Sequence, residues 1–236
     1  MRSRTKAAAY ALLNTLAPQL CIYCDQEAES ELPLCSVCRT ELELNDAGCP
    51  ICALPACAGA PCPACQQKSP ALRRVFAPYV YDRALAFLMQ RWKYQGQRGL
   101  ATLVADIISE QITLPTDYEL VLSVPMHWSR KLRRGFNQAE DLREALIRRQ
   151  GQLPTKRYPL IQRLKRSQTQ TTASRADRIS ALQYSMAVHG TLATQSVLLV
   201  DDVCTTGATA NEAARACLEQ GATYVDLVCL ARTPER

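Results

Sequence analysis

Residues 197–209 read Val197-Leu-Leu-Val-Asp-Asp-Val-Cys-Thr-Thr-Gly-Ala-Thr209, and they decide how the C-terminal half of the chain is interpreted. The four apolar residues predict a short buried strand, and the spacing of apolar residues from Thr209 to Gln220 predicts a helix directly after the loop. In an open α/β sheet, ligands bind at the carboxyl ends of the strands, where the next helix offers unpaired N–H groups to an anion. The stretch therefore predicts an α/β domain with an anion-binding loop at this strand end.

Two kinds of side chain follow the predicted strand. Asp201 and Asp202 repel a phosphate, so we expect them to bind hydroxyl groups or a metal ion. The residues after them provide hydroxyl donors and a glycine that permits close approach of the backbone to a phosphate. A ribose phosphate satisfies both halves, whereas a simple turn capped by one Asp and one Thr leaves most of the run unexplained. The predicted phosphate-binding residues are Thr205, Thr206, Gly207, Ala208 and Thr209.

The same thirteen residues resemble the signature with which type I phosphoribosyltransferases bind phosphoribosyl pyrophosphate (PRPP): four apolar, two acidic and seven mostly small residues. The resemblance implies a Rossmann-like parallel sheet with helices on both faces, and it makes Asp201 and Asp202 the catalytic pair. It also implies a pyrophosphate loop after an earlier strand, and the cation-rich residues 123–138 follow the apolar run Leu120–Val124. Arginine guanidinium groups form paired hydrogen bonds with pyrophosphate oxygens, and Mg²⁺ bridging those oxygens would complete the charge balance. The implied loop residues are Pro125, Met126, His127, Arg130, Arg133 and Arg134.

A second module precedes this domain. Residues 21–68 are rich in cysteine and lack helical or strand periodicity, which is typical of a metal-stapled segment. Four thiolates form one closed tetrahedral zinc site, so the four CxxC pairs predict two sites, which are structural because no ligand position stays open. Consecutive and cross-braced pairings both fit the spacing; we favour the consecutive pairing, and iron–sulfur ligation is the alternative metal chemistry. The first site then comprises Cys21, Cys24, Cys35 and Cys38, and the second Cys49, Cys52, Cys62 and Cys65.

Length and composition limit the class of protein. The 236 residues suffice for one α/β domain and a small module. No uninterrupted apolar stretch approaches the ~20 residues of a membrane helix, so we expect no membrane span. Residues 1–20 place basic residues before an Ala/Leu-rich stretch, as a signal peptide does, but we favour a short amphipathic helix leading into the cysteine module. Because the paired cysteines indicate a reducing compartment, we expect the protein in the cytoplasm.

The positive charge is concentrated in one region. The formal net charge is +6, and fourteen of the 28 lysines and arginines lie between Arg130 and Arg178. We expect this stretch to face phosphate or a polyanion, and the alternative is a solvated surface. Within it, residues 156–181 are polar and rich in Thr and Ser, which predicts a long mobile loop of functional importance with a short helix near Arg175–Leu182.

The remaining periodicity predicts alternating strands and helices, the pattern of a parallel sheet. Besides the elements already named, we predict strands at Val75–Tyr81 and Thr223–Leu230 and helices at Arg83–Trp92, Leu100–Gln111 and Gln138–Arg149. The chain thus divides into a leader at residues 1–20, a double zinc ribbon at residues 21–68 and an α/β domain at residues 75–236.

The order of all these features resembles the ComF family of phosphoribosyltransferase-like proteins. Besides the zinc module and the acidic signature, the supporting motifs are Lys93-Tyr-Gln-Gly96, Val124-Pro125, Arg134-Gly-Phe-Asn-Gln138 and the pair Arg163 and Gln170. The resemblance implies PRPP as ligand and roles in natural competence and in the uptake and use of DNA, with single-stranded DNA and the uptake machinery as partners. It also implies a flexible loop that covers the pocket and contains Arg163, Gln170 and Arg178. Family members carry Asn where this chain has Ala181, so we expect the hydrogen bonding of that loop to differ.

Two functions are consistent with these features. The first is transfer of a phosphoribosyl group to an acceptor that the residues do not identify, with electrostatic stabilisation by the loops and the metal. The second is a non-catalytic PRPP-sensing protein that binds single-stranded DNA through basic residues interspersed with aromatic ones. Aromatic side chains serve the second function only where they are exposed rather than packed in the domain. These residues are Trp92, Tyr94, Trp128 and Phe136.

Overall fold

The computed structural model of the protein describes residues 19–29, 32–94, 97–126, 135–155, 160–163, 186–193 and 195–235. The helices are α1 (Ser36–Thr40), α2 (Pro63–Gln67), α3 (Arg83–Tyr94), α4 (Leu100–Gln111), α5 (Gln138–Gln150) and α6 (Ala208–Glu219). The strands are β1 (Arg74–Phe76), β2 (Tyr79–Val80), β3 (Leu120–Ser123), β4 (Leu160–Arg163), β5 (Met186–His189), β6 (Ser196–Val200), β7 (Val203–Cys204), β8 (Tyr224–Val228) and β9 (Ala231–Arg232). Within these residue ranges, no helix combines the length and the apolar character needed to cross a membrane.

Four parallel strands form the main sheet in the order β1-β8-β6-β3. The register places Leu199 of β6 beside Leu122 of β3 and Leu227 of β8. Every residue of β6 is buried, because a parallel sheet is covered on both faces and its inner strands have no solvent-facing side. Helices α4 and α5 pack on one face and α6 packs on the other. The predicted parallel sheet with helices on both faces is therefore confirmed.

Three strands of the main sheet are interrupted and then continue. Strands β2, β9 and β7 follow β1, β8 and β6 along the chain and form a short second parallel sheet in the order β2-β9-β7. At the interruptions, the amide of Cys229 donates to the Phe76 carbonyl at 2.9 Å, and the amide of Asp201 donates to the Val228 carbonyl at 3.1 Å. The interruption after β6 is where Asp201 and Asp202 lie, so a fixed backbone holds the acidic pair at the carboxyl end of this strand.

Both halves of the cysteine module contact the α/β domain. In the first half, Arg39 forms ion pairs with Asp106, at 3.4 Å, and with Glu110, both in α4. In the second half, the amide of Val75 in β1 donates to the Ile51 carbonyl at 2.8 Å. These contacts fix both groups of cysteines relative to the main sheet.

Most predicted elements are confirmed, with shifts of one or two residues at their ends. Helix α4 has the predicted bounds, and α5 ends at Gln150, followed by Gly151, whose φ of 66° is the left-handed C-cap conformation that glycine favours. The single strand predicted over Val75–Tyr81 is wrong: it is two strands, interrupted around Pro78, which has no N–H to donate.

The loop predicted over residues 156–181 is also wrong in part. Strand β4 lies within this range and pairs antiparallel with β5, so that Arg163 stands opposite Met186. The partner of β4 lies beyond the predicted loop, so no local pattern indicates the pairing. The polar residues of β4 also interrupt the apolar pattern from which a strand is predicted. The short helix predicted near Arg175–Leu182 lies outside the described residues.

Candidate functional site

The loop between β6 and α6 brings the predicted phosphate-binding residues to a helix N-terminus. Gly207, just before α6, has a φ of 76°, a left-handed conformation that glycine adopts without strain. The hydroxyl of Thr206 accepts a hydrogen bond from the amide of Ala208 at 3.3 Å, which closes a local turn just before the helix. The positive end of the helix dipole and the N–H groups at this terminus form a favourable environment for an anion.

A cleft of about 230 Å³ opens where the carboxyl ends of β3 and β6 meet this loop. The predicted residues that line it are Pro125, Met126, Arg163, Asp201, Asp202, Thr205, Gly207, Ala208 and Thr209. Thr206 lines a neighbouring cleft beside the second group of cysteines instead. Arg163 ends strand β4, which corrects its assignment to a flexible loop. The predicted residues His127, Arg130, Arg133, Arg134, Gln170 and Arg178 lie outside the described residues.

The two acidic residues of the cleft have different surroundings. Burial, together with the charge of Asp202, raises the pKa of the Asp201 carboxyl well above its usual range. Asp201 accepts a hydrogen bond from the amide of Asp202 at 2.9 Å, and Asp202 accepts one from the amide of Val203 at 2.7 Å. Asp202 also forms an ion pair with Lys93. Two adjacent carboxyl groups thus share one paired cation, and a bound hydroxyl donor or a further cation would stabilise their ionised forms.

Sequence reasoning assigned Lys93 no role in the site. This lysine lies in the last turn of α3, next to the buried Trp92 that anchors the helix in the core, and its side chain reaches the cleft. Its pairing with Asp202 joins distant parts of the chain, which no local pattern reveals. The available signal was the motif Lys93-Tyr-Gln-Gly96, which had served only to support the family resemblance.

Two residues of the motif Gly135–Gln138 form part of the cleft wall at the start of α5. Asn137 and Gln138 are buried and line the cleft. The Asn137 side chain accepts a hydrogen bond from the amide of Ala139 at 3.2 Å, as an N-cap does, and donates to the Val124 carbonyl at 3.4 Å. It thereby ties the end of β3 to the start of α5, so this motif holds the β3 side of the cleft in place.

The aromatic residues of the basic surface are mostly packed in the domain. Trp92 and Phe136 are buried, so the interpretation that they belong to an exposed stacking surface is wrong. Arg98 lies over the Phe136 ring at 5.5 Å, which covers that ring further. Tyr94 is 62% exposed, and Trp128 lies outside the described residues.

Two groups of cysteines have the geometry of tetrahedral zinc sites. Within each group the four sulfur atoms lie within 4.8 Å of one another. A zinc ion with four sulfur ligands at about 2.3 Å has S···S edges of about 3.8 Å. The sulfurs of Cys24 and Cys35 are 3.8 Å apart and those of Cys52 and Cys62 are 3.6 Å apart. The groups are Cys21, Cys24, Cys35 and Cys38, and Cys49, Cys52, Cys62 and Cys65, which confirms the consecutive pairing over the cross-braced one.

The surroundings of these sulfurs favour a bound metal. The amide of Cys38 donates to the Cys35 sulfur at 3.4 Å, and the amide of Cys62 donates to the Cys49 sulfur at 3.3 Å. Burial opposes ionisation of Cys21 and Cys49, yet backbone N–H groups near their sulfurs lower the pKa of each to about 6. Soft, anionic sulfur donors of this kind suit zinc. Because each site has four protein ligands, both are closed sites that stabilise the fold.

Comparison with known proteins agrees with this architecture. Residues 132–236 match the phosphoribosyl transferase domain, and residues 12–66 match the double zinc ribbon domain. The chain is 32% identical over 225 residues to the DNA utilization protein YhgH of Salmonella typhimurium, which covers 92% of this chain and 98% of that protein. It is 30% identical to competence protein F of Haemophilus influenzae over 90% of each chain. It is 26% identical to competence protein ComFC of Bacillus subtilis over 86% of this chain and 90% of that one. Together with the parallel sheet, the acidic loop and the two groups of cysteines, these similarities show that the chain belongs to the ComF family of phosphoribosyltransferase-domain proteins with an N-terminal double zinc ribbon.

Proposed function

We propose that the cleft binds PRPP and that the protein transfers the phosphoribosyl group to an acceptor. The observation that carries this proposal is the meeting of two chemistries in one cleft, adjacent carboxylates at the end of β6 and the N-terminus of α6. A ligand that uses both must carry hydroxyl groups as well as a phosphate. The match to a phosphoribosyl transferase domain supports the same class of ligand.

Each group of PRPP has a partner in the cleft. Thr205, Gly207, Ala208 and Thr209 hold the 5′-phosphate through hydroxyls and the backbone at the start of α6. The 2′- and 3′-hydroxyls of the ribose donate to Asp201 and Asp202, and the pyrophosphate meets the cationic side chains of Lys93 and Arg163. Mg²⁺ takes oxygen ligands such as carboxylates and pyrophosphate oxygens, and when bound with PRPP it would neutralise charge on the leaving group. Further cations for the pyrophosphate are the predicted loop residues Arg130, Arg133 and Arg134.

Phosphoribosyl transfer breaks the bond between C1 of the ribose and a pyrophosphate oxygen, and that oxygen keeps the electron pair. The acceptor forms the new bond to C1 while positive charge develops on the sugar ring. Asp201 and Asp202, bound to the ribose hydroxyls, stabilise this positive charge, and Lys93 stabilises the departing pyrophosphate. The acidic pair lies at a strand end and the lysine on a helix anchored in the core, so these groups are preorganised before the ligand binds.

Titration calorimetry of PRPP with Mg²⁺ into the zinc-loaded protein tests the proposal. We expect the wild type to bind and the Asp201→Asn/Asp202→Asn variant to lose more than about tenfold in affinity, because hydrogen bonds to charged groups contribute about 1.5–3 kcal/mol each. The matched control is Asp46→Asn/Glu219→Gln, which removes two charges at exposed positions outside the cleft. The proposal fails if folded, zinc-loaded wild type does not bind PRPP, or if the control variant loses as much affinity as the cleft variant.

A second candidate function is single-stranded DNA binding by a non-catalytic protein that senses PRPP. It is favoured by helix α3, on which Phe87 is 41% and Tyr94 is 62% exposed, with Arg91 at 5.3 Å from the Phe87 ring. Two relatives are named for DNA utilization and competence. Such a face binds bases by stacking and phosphates by charge, so its affinity for oligothymidylate should fall steeply with salt. Fluorescence anisotropy of a labelled oligothymidylate with Phe87→Ala/Tyr94→Ala measures this, and undiminished affinity in the variant would reject the surface.

A further inference from the structure

Arg232 joins the second zinc site to the phosphate-binding loop. This arginine ends the last strand, β9, and is buried. Its Nε donates to the carbonyl of Cys52, a ligand of the second site, at 3.1 Å. Its Nη1 donates to the Cys204 carbonyl at 3.2 Å, to the Thr205 carbonyl, and to the Thr233 carbonyl at 3.0 Å. One guanidinium group therefore holds backbone from both modules of the protein.

The hydrogen bonds of Arg232 orient the peptide groups of the loop. A guanidinium presents its donors in a rigid fork, so carbonyls bound to it are held in defined directions. In a trans peptide, the C=O of one residue and the N–H of the next point in opposite directions. Because the carbonyls of Cys204 and Thr205 point toward Arg232, the amides of Thr205 and Thr206 are turned away from it. Arg232 lies outside the cleft, whereas Thr205 lines it, so of these two amides that of Thr205 is placed to reach a bound phosphate.

The position of the Cys52 carbonyl is well fixed because the backbone around Cys52 is held at two points. Cys52 is one of the four cysteines of the second site. The carbonyl of the preceding residue, Ile51, accepts a hydrogen bond from the amide of Val75 at 2.8 Å, which joins this backbone segment to β1. A segment this small cannot form a hydrophobic core of its own, so metal binding supplies the free energy that orders it. We therefore expect the orientation of the carbonyl to depend on metal bound at this site.

The first zinc site provides an internal comparison. Arg91 of α3 donates to the carbonyl of Ile22, next to the ligand Cys21, at 3.1 Å. Across the described ranges of the chain, no backbone hydrogen bond joins the first site to residues 201–209. We therefore expect removal of the Arg91 guanidinium to loosen a contact with the first half of the zinc module.

We propose that the second zinc ribbon positions the phosphate-binding loop through Arg232, so that metal binding and phosphate-ligand binding are coupled. The identity of the ligand in this proposal rests on the proposed function. The link between the ribbon and the loop does not depend on it. Coupling of this kind is reciprocal, because a metal site that raises affinity for the ligand is itself stabilised by the ligand. Arg232 is a positioning residue, since it lies outside the cleft and acts through the backbone of the loop.

Three single variants test the link: Arg232→Met, Arg232→Lys and Arg91→Met. Arg232→Met should bind PRPP with Mg²⁺ about tenfold more weakly, because the loop amides lose their fixed orientation. Arg232→Lys should recover part of the affinity, since an ammonium group holds one carbonyl but lacks the fork. Arg91→Met should bind like the wild type. Without ligand, hydrogen exchange of residues 203–208 should be faster in Arg232→Met and unchanged in Arg91→Met.

A second measurement needs no substitution. Wild-type protein loaded with cadmium-113 gives one resonance for each site, and couplings to the cysteine β protons assign them. PRPP with Mg²⁺ should shift the resonance of the second site and leave that of the first in place. The proposal is overturned if PRPP binds without moving the second resonance, or if folded, metal-loaded Arg232→Met binds PRPP like the wild type. If the wild type does not bind PRPP, the proposed function fails, and hydrogen exchange still decides the link: faster exchange at residues 203–208 supports it and unchanged exchange overturns it.

Discussion

Asp226 lies in β8 of the main sheet and the Asp201–Asp202 pair directly follows the neighbouring strand β6, but their charges are compensated in different ways. Asp226 is fully buried in β8 and accepts two hydrogen bonds from Arg73, at 3.0 and 2.5 Å, and one from the Tyr118 hydroxyl at 2.7 Å. The hydrogen bond to Asp226 raises the pKa of the Arg73 guanidinium, which also stacks on the Tyr224 ring at 3.5 Å. The fold thus supplies this carboxylate with a counter-cation and hydrogen-bond donors.

At the carboxyl end of β6, by contrast, two carboxylates meet one paired lysine, Lys93. Burial and the neighbouring charge raise the pKa of Asp201 well above its usual range. The fold therefore supplies Asp226 with its own counter-cation but leaves Asp201 and Asp202 to share one lysine, which is the kind of perturbed environment that often marks a ligand-binding site. The contrast supports the proposed ligand-binding role of the acidic pair and a structural role for Asp226.

Arg73→Met should have the largest effect on stability. It leaves the buried Asp226 carboxylate without its cation, which costs about 3 kcal/mol; this is the low end for a broken buried pair because the Arg73 side chain is 49% exposed. Denaturant unfolding of the zinc-loaded protein measures the loss, and PRPP affinity should not change. Arg74→Met removes the neighbouring exposed arginine and should cost less than about 1 kcal/mol. Equal losses in the two variants would show that Asp226 does not depend on Arg73.

Asp201→Asn should act in the opposite direction and stabilise the protein by about 1–2 kcal/mol near neutral pH, while weakening PRPP binding. The substitution removes a desolvated charge and its repulsion with Asp202. A carboxyl whose pKa is raised by folding binds its proton more tightly in the folded state, so it favours folding at acidic pH and opposes folding as the pH rises.

The stabilising effect of Asp201→Asn should therefore shrink as the pH falls from neutral toward about 4, the ordinary pKa of an aspartate, because Asp201 takes up its proton in the folded protein before it does so in the unfolded chain. Thermal unfolding at several pH values measures this dependence. Asp46→Asn, at an exposed position, is the control and should show little effect at any of these pH values. A stabilisation by Asp201→Asn that does not vary with pH would contradict the raised pKa.

Lys93→Met should destabilise the protein by about 1 kcal/mol, because Asp202 loses its cation while Asp201 stays beside it. The loss should be smaller in the Asp201→Asn background, since only one carboxylate then remains. A double-mutant cycle of denaturant unfolding measures this coupling, with Lys68→Met as an exposed control. Strictly additive effects would show that Lys93 does not respond to the charge of Asp201.

Arg98→Ala should have the smallest effect, below about 0.5 kcal/mol. Arg98 pairs with Asp141, but its side chain is 64% exposed, so water and salt screen the interaction. Unfolding at low and high salt measures the difference from wild type, which should vanish at high salt. A loss above about 1 kcal/mol that persists in salt would mean that packing of Arg98 on the Phe136 ring, rather than its charge, stabilises the fold.

Short-range sequence patterns correctly predicted much of the fold and part of the candidate site. The apolar run before Asp201 is a buried strand that begins only one residue earlier than predicted, at Ser196, and α4 has the predicted bounds. Asp201, Asp202 and Thr205 line one cleft, as the chemistry of the loop had suggested. Thr206 does not line it, and its hydroxyl accepts a hydrogen bond from the amide of Ala208 instead. Sequence alone did not separate these two roles, since the hydroxyl of either threonine can bind nearby backbone or a phosphate.

The features that the sequence by itself determined depend on residues close together in the chain. An apolar strand followed by Asp201-Asp202 and a helix predicts its own geometry, and each group of cysteines forms its site from two neighbouring CxxC pairs. Only the tertiary structure decided which distant groups meet them: Lys93 beside Asp202, and Arg232 between Cys52 and the phosphate-binding loop. These contacts follow from strand order and from the packing of helices on the sheet, and the pattern of a single element does not specify which other element it packs against.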